Sequence, residues 1–140
     1  MVSVGINPTE EQVKLYNQLK VDKTLRCIIL ALNKDRNGLE TEFTAERDFK
    51  LSDLHEKLPK DNCRYVIFDF DYETKENPPR ATSKLLLILW SPDIAPIKVK
   101  VPFTSTKNDI KAAFVGIQKD ILASDFAILD PEELRNELCN

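Results

Sequence analysis

The stretch KLLLILWSPDIAPIKVKV, Lys84 to Val101, decides how this chain is read. Leu85 to Trp90 is an unbroken apolar run with the length of a strand buried on both faces. S-P-D-I-A-P then punctuates a turn, and residues 97–101 alternate apolar side chains with lysine. That alternation predicts a short fifth strand, with Lys98 and Lys100 on one side of it. A long helix is expected next, over T-S-T-K-N-D-I-K-A-A-F-V-G-I-Q-K-D-I-L-A. Thr and Ser at its start can cap it, and Ile110, Ala113, Phe114, Ile117 and Ile121 recur at helical spacing as a core-facing stripe.

Upstream, N-P-T-E-E-Q-V-K-L-Y-N-Q-L-K predicts a first helix. Asn7 can cap, Pro8 fits the first helical position, and Glu10 fits the capping-box acid. L-R-C-I-I-L-A-L-N is apolar on both alternations and reads as a doubly buried strand. Asn37-Gly38 is a hairpin signal, and L-E-T-E-F-T-A-E returns as a half-exposed strand with Leu39, Thr41 and Phe43 on one side. L-S-D-L-H-E-K-L makes a short helix through Leu51, Leu54 and Leu58. C-R-Y-V-I-F-D-F-D-Y is a further strand, parted from Leu85–Trp90 by a polar loop holding Pro78-Pro79. Asp130 and Pro131 open a short last helix. The sum is one α/β-type (α+β) domain over residues 1–140: a mixed sheet covered by helices on both faces.

Composition narrows the function. The chain has 140 residues, 42% hydrophobic and 31% charged, with a net charge of −3. An acidic chain of ordinary globular balance has no overall affinity for nucleic acid, so any basic site is local. No apolar run approaches the roughly 20 residues of a spanning helix. Three widely spaced cysteines, Cys27, Cys63 and Cys139, disfavour disulfide and zinc frameworks. The expectation is a cytoplasmic monomer without metal or cofactor. With three glycines and none in G-x-G, no phosphate-cradling loop is present.

Two readings of the chemistry compete. In V-I-F-D-F-D-Y-E-T, Asp69 and Asp71 project to one side of a strand. The motif resembles the start of haloacid-dehalogenase-type phosphotransferases, with Asp69 as nucleophile of a small magnesium-dependent enzyme. The following residue, however, is Tyr72 where that motif has Gly, and the motif lies mid-chain. His55 is the single histidine and reads as a helix-flank residue. The other reading rests on Lys98, Lys100, Lys107 and Lys111, opposed locally only by Asp109. Lys107 and Lys111 share a helix face. If the strand end and helix start adjoin, four amines make one patch for an acidic protein partner.

L-P-K-D-N-C-R-Y-V-I-F-D-F-D-Y-E-T, W-S-P-D-I-A-P and T-S-T-K-N-D-I, in that order and spacing, resemble the actin-depolymerising factor/cofilin family along essentially the whole chain. The resemblance implies a single actin-depolymerising-factor homology domain with a five-stranded mixed sheet. It also implies actin, monomeric and filamentous, as partner, filament turnover as role, and no catalytic residues. Phosphoinositides are a further candidate partner, and the actin cytoskeleton is the implied location.

Carried over by position, the monomer-binding surface is Val4, Gly5 and Ile6 with Lys98, Lys100, Lys107 and Lys111. The filament-binding surface is Arg80, Lys84 and Arg135. Ser3 is the candidate phosphorylation site, one place from where the family has its regulatory serine. Val101 and Phe103 stand where relatives commonly carry Met and Tyr, and Ala112 replaces a second basic residue. Thr82 replaces a usual basic residue, and Glu132, Glu133 and Glu137 surround Arg135. Weak severing is therefore expected.

Overall fold

The computed structural model describes residues 6–35 and 37–139. Its elements, in chain order, are α1 (Glu10–Lys20), β1 (Leu25–Leu32), β2 (Leu39–Glu46), a 3-10 turn (Leu51–Asp53) running into α2 (Leu54–Lys57), β3 (Arg64–Glu73), β4 (Ala81–Trp90), α3 (Ile97–Ala113), β5 (Lys119–Ala123) and α4 (Pro131–Cys139). The strands form one sheet in the order β2-β1-β3-β4-β5. Three pairings are antiparallel; β4 and β5 run parallel. The expected mixed five-stranded sheet with helices on both faces is present.

Alternation along the central strands feeds two cores. Ile28, Leu30, Tyr65, Ile67, Leu87 and Leu89 face α1 and α3. Ile29, Val66, Phe68, Leu86, Ile88 and Trp90 face α2 and α4. β1 is buried along most of its length, as a strand flanked on both edges and both faces must be. Cys27 and Cys63 are buried as small hydrophobes, and burial raises both thiol pKa values.

β2 departs from simple alternation. Leu39 packs in the first core, whereas Phe43 and Ala45 reach the second. The register jumps from Ile29↔Phe43 to Leu30↔Thr41, so Glu42 is an extra residue on the edge strand. Such a bulge reverses which side chains point inward.

Helix ends follow local chemistry. The cap of α1 is Thr9 rather than Asn7. Its Oγ1 accepts from Gln12 N at 3.1 Å while Gln12 Oε1 accepts from Thr9 N at 3.0 Å. Asp130 caps α4, accepting from the backbone N–H groups of Glu132 and Glu133.

The segment after Trp90 is where expectation and structure part. Residues 97–101 are the first turns of α3, not a strand, and the fifth strand follows the helix. A parallel β4–β5 pair needs a crossover that carries the chain back across the sheet, and α3 is that crossover. Pro96 stands at the N-cap in extended conformation. Val99, Phe103, Thr106 and Ile110, spaced by four, three and four, form its inward face. The helix closes at Ala113 with Phe114 as its C-cap, and Gly116, at φ 108°, takes a left-handed conformation in the loop that leads to β5. Ile121 therefore belongs to β5 and the second core, on the opposite side of the sheet from Ile110 and Phe114.

Candidate functional site

α3 leaves the sheet through a short, tightly bonded turn. Ser91 N donates to Ala123 O at 2.9 Å, and Ala95 N donates to Pro92 O at 3.0 Å. Pro102 lies inside the helix and withholds the N–H that would close on Lys98 O. At the next residue, the hydroxyl of buried Tyr65 donates to the Phe103 carbonyl, with the two rings 4.9 Å apart. Burial raises the Tyr65 pKa, keeping that hydroxyl a donor. The first half of α3 is thus fixed to the centre of the sheet.

What this fixing presents outward is apolar. Ile94, Ile97 and Val101 are 72%, 76% and 57% exposed. Large aliphatic side chains clustered at a helix start with nothing over them mark an interaction surface. Sequence reasoning assigned Ile97 and Val101 to a strand and missed this. The signal that finds it is the helical spacing of Val99, Phe103, Thr106 and Ile110, which leaves 97 and 101 facing out.

The four lysines do not make one patch. Nine residues apart at about 100° each, Lys98 and Lys107 lie on opposite sides of α3. Lys98 is exposed beside Ile97. Lys100 donates to the Asp93 carbonyl at 3.1 Å. Lys107 and Lys111 each reach Asp120 of β5, at 2.9 Å, one to each carboxylate oxygen. Ile6 is a core residue, 8% exposed, packed with the α1–α3 cluster rather than displayed. Val4, Gly5 and Ser3 lie outside the described residues.

Those two amines hold the Asp120 carboxyl at about 2, below its ordinary 3.8. A folded-state value below the unfolded one means the stabilisation is present above about pH 4 and is lost as pH falls toward 2. Asp120 is partly solvated, so the loss is on the order of 1 kcal/mol. Urea denaturation of wild type and Asp120→Asn at pH 5 and pH 2.5 checks this. The stability gap between them should be full at pH 5 and clearly narrower at pH 2.5, where the folded-state carboxyl is only beginning to protonate; a constant gap would contradict it.

The second set of cations sits at the far end of the β3–β4 hairpin. Arg135 on α4 donates to the carbonyls of Glu73, at 2.7 Å, and Thr74, at 3.4 Å, and lies 3.7 Å from Glu132. Lys75 Nζ binds Asn136 Oδ1 at 2.7 Å, tying the same hairpin to α4. Arg80 adjoins this corner, since its N–H donates to Thr74 Oγ1 at 3.0 Å, and its guanidinium lies 3.7 Å from Glu76. Lys84 stands opposite Phe70, inside the ladder. Arg80 and Arg135 are therefore brought together, with Lys84 about 13 Å along the strand.

The Asp69 reading finds no support. Its carboxylate is 1% exposed; Oδ2 accepts from Lys23 at 3.1 Å and Arg47 at 2.9 Å, and Oδ1 is buried. Arg26 bridges the Asp69 carbonyl and the Asp71 carboxylate. Asp69 is a counter-ion joining β3 to the ends of β1 and β2, enclosed where a nucleophile would need an open approach. Among the described residues, no group of three or more His, Cys, Asp or Glu side chains converges as metal ligands would. Among them, too, no helix is long and apolar enough to cross a membrane.

Comparison with known proteins agrees with this geometry over nearly the whole length. A cofilin from Schizosaccharomyces pombe is 36% identical over 126 residues, covering 88% of this chain and 87% of its own. Actophorin from Acanthamoeba castellanii is 34% identical over 123 residues, with 88% and 87% covered. The crystal structure of Streptomyces griseoflavus cofilin superposes with a TM-score of 0.83 at 29% identity, covering 95% of this chain and 96% of that one. The family described as cofilin/tropomyosin-type actin-binding protein matches residues 5–139. A helix-covered mixed sheet that displays an apolar helix start, matched end to end in this way, places the chain in the cofilin/tropomyosin-type family of actin-binding proteins.

Proposed function

We propose that the chain binds actin monomers through the outer face of α3, binds filaments more weakly through the β3–β4 and α4 corner, and promotes filament depolymerisation in the cytoplasm as a monomer. The observation that carries the monomer contact is the exposed trio Ile94, Ile97 and Val101 with Lys98 beside it, in a member of an actin-binding family. Apolar side chains at the centre of a contact supply most of its free energy, and a flanking cation adds orientation toward an acidic partner. Lys100, Lys107 and Lys111 border this face.

Arg80, Lys84 and Arg135 are the cations proposed for the filament contact. Arg135 is already engaged with two carbonyls and Glu132, and Arg80 with Glu76. Cations so engaged, among carboxylates, attract an acidic filament surface weakly, and their contact is screened over about 8–10 Å at ordinary ionic strength. Raising salt is therefore expected to release filaments before monomers. Co-sedimentation with filaments and a monomer nucleotide-exchange assay, run in parallel across salt, test this. Filament decoration and frequent severing that persist after monomer binding has faded would reverse the assignment of strengths.

A further inference from the structure

We propose that Asp120 is a positioning residue of the actin-binding face, holding Lys107 and Lys111 as one preformed pair of ammonium groups that meets an acidic side chain of the partner. The proposal rests on the reading that α3 is the actin-binding helix. Lys107 and Lys111 are one turn apart, and each takes its own oxygen of the Asp120 carboxylate at 2.9 Å. Each ammonium has three N–H donors and gives one here, so two from each remain for a partner. The side chains of Lys107, Lys111 and Asp120 are 27%, 40% and 30% exposed, which leaves the pair open to one side while its stems are partly covered.

The holder itself is rigid. Asp120 lies opposite Leu87 in the parallel β4–β5 ladder. The loop that leads into β5 is fastened to α1, where Tyr16 Oη and Lys20 Nζ both donate to the Val115 carbonyl at 2.8 Å. Gly116 in that loop has a positive φ, and a Cβ there would meet Lys20 Nζ at 2.9 Å. A lysine free in water must give up many rotamers to bind, and a lysine already held gives up fewer.

Two effects of Asp120 oppose each other, and the sign of one measurement separates them. Its negative charge reduces the three-residue cluster from +2 to +1, which by attraction alone weakens binding to an acidic surface. Its geometry orders the amines, which strengthens binding. If positioning dominates, Asp120→Asn binds more weakly although it is more cationic.

The test is the affinity for monomeric actin of wild type, Asp120→Asn, Asp120→Glu, Lys107→Ala/Lys111→Ala, and that double variant with Asp120→Asn added. Thermal melts establish that each is folded at the assay temperature. Expected is about a fivefold loss for Asp120→Asn, recovery of most of it by Asp120→Glu, and no further loss from Asp120→Asn once both lysines are gone. Unchanged or tighter binding by Asp120→Asn would overturn the proposal, as would an equal loss in the lysine-free background. If Lys107→Ala/Lys111→Ala binds like wild type, the pair makes no contact and the proposal falls while the actin reading stands. Absence of binding by wild type would instead overturn the actin reading itself.

Discussion

Trp90→Ala is expected to lower the free energy of unfolding by about 3–5 kcal/mol, enough to unfold a domain of ordinary stability at moderate temperature. Trp90 is 1% exposed and stacks on Phe126, with ring centroids 4.4 Å apart. Its indole Nε1 donates to the Pro59 carbonyl at 2.6 Å. Alanine removes the ring from the second core, leaves a cavity beneath Phe126, and strands a carbonyl at the α2–β3 connection. Trp90→Phe keeps most of the apolar volume, losing the hydrogen bond and leaving a smaller void, so its cost should be about 1–2 kcal/mol. Urea denaturation followed by far-ultraviolet circular dichroism measures both without relying on indole fluorescence. A loss below about 1 kcal/mol for Trp90→Ala would show that the site repacks around the missing ring. Function is linked to this position because Trp90 ends β4 and Ser91 binds β5. The turn that launches α3 is thus held from both sides.

The elements legible in the sequence are those whose partners impose one period along their whole length. β1, β3 and β4 are flanked on both edges along their apolar runs, at Cys27–Leu30, Tyr65–Phe68 and Leu86–Trp90, and are packed there on both faces, so those runs had one structural meaning. Residues 97–101 had two. Ile97, Val99 and Val101 against Lys98 and Lys100 satisfy a strand's alternation, while Val99 with Phe103 begins a helix's spacing. Local pattern favoured the strand; the crossover required by a parallel β4–β5 pair decided for the helix. The same error in phase absorbed residues 119–123 into the helix. Ile121 falls at helical distance from Ile117 and Phe114, yet packs on the other side of the sheet.

These two shifts account for what was missed at the site. A strand at 97–101 hides Ile97 and Val101 in a sheet, so the exposed apolar surface could not be read. A helix running through residue 120 leaves Asp120 as one more solvated carboxylate instead of the group between Lys107 and Lys111. The exposure of Lys98 was legible because it does not depend on which element carries the residue. Asp69 and Asp71 were read as lying on a strand and do lie within β3, but their cations come from Lys23, Arg26 and Arg47, far off in sequence. Ion pairs formed by strand pairing leave no short-range trace.

Ile97→Asp is expected to weaken monomeric actin binding by on the order of 100-fold, equivalent to about 2.7 kcal/mol, while leaving the fold at or above wild-type stability. The two halves of that expectation have separate causes. Ile97 is 76% exposed and is the first residue of α3, so replacing it removes almost no packing. A carboxylate in the first turn of a helix interacts favourably with the unpaired N–H groups and positive end of the dipole, and no acidic residue stands there now. In the complex, the same carboxylate replaces an apolar contact by a charge that must lose its water against a partner surface selected for cations. Lys98→Ala removes one exposed charge and should cost only about tenfold or less, with a shallower dependence on salt. Ile97→Asp should retain most of its loss at high salt, because desolvation is not screened as charge attraction is. Titration of labelled actin monomers at two ionic strengths, beside thermal melts of each variant, separates these effects. Wild-type affinity in Ile97→Asp would remove the start of α3 from the contact, and the monomer site would then have to lie elsewhere on the domain.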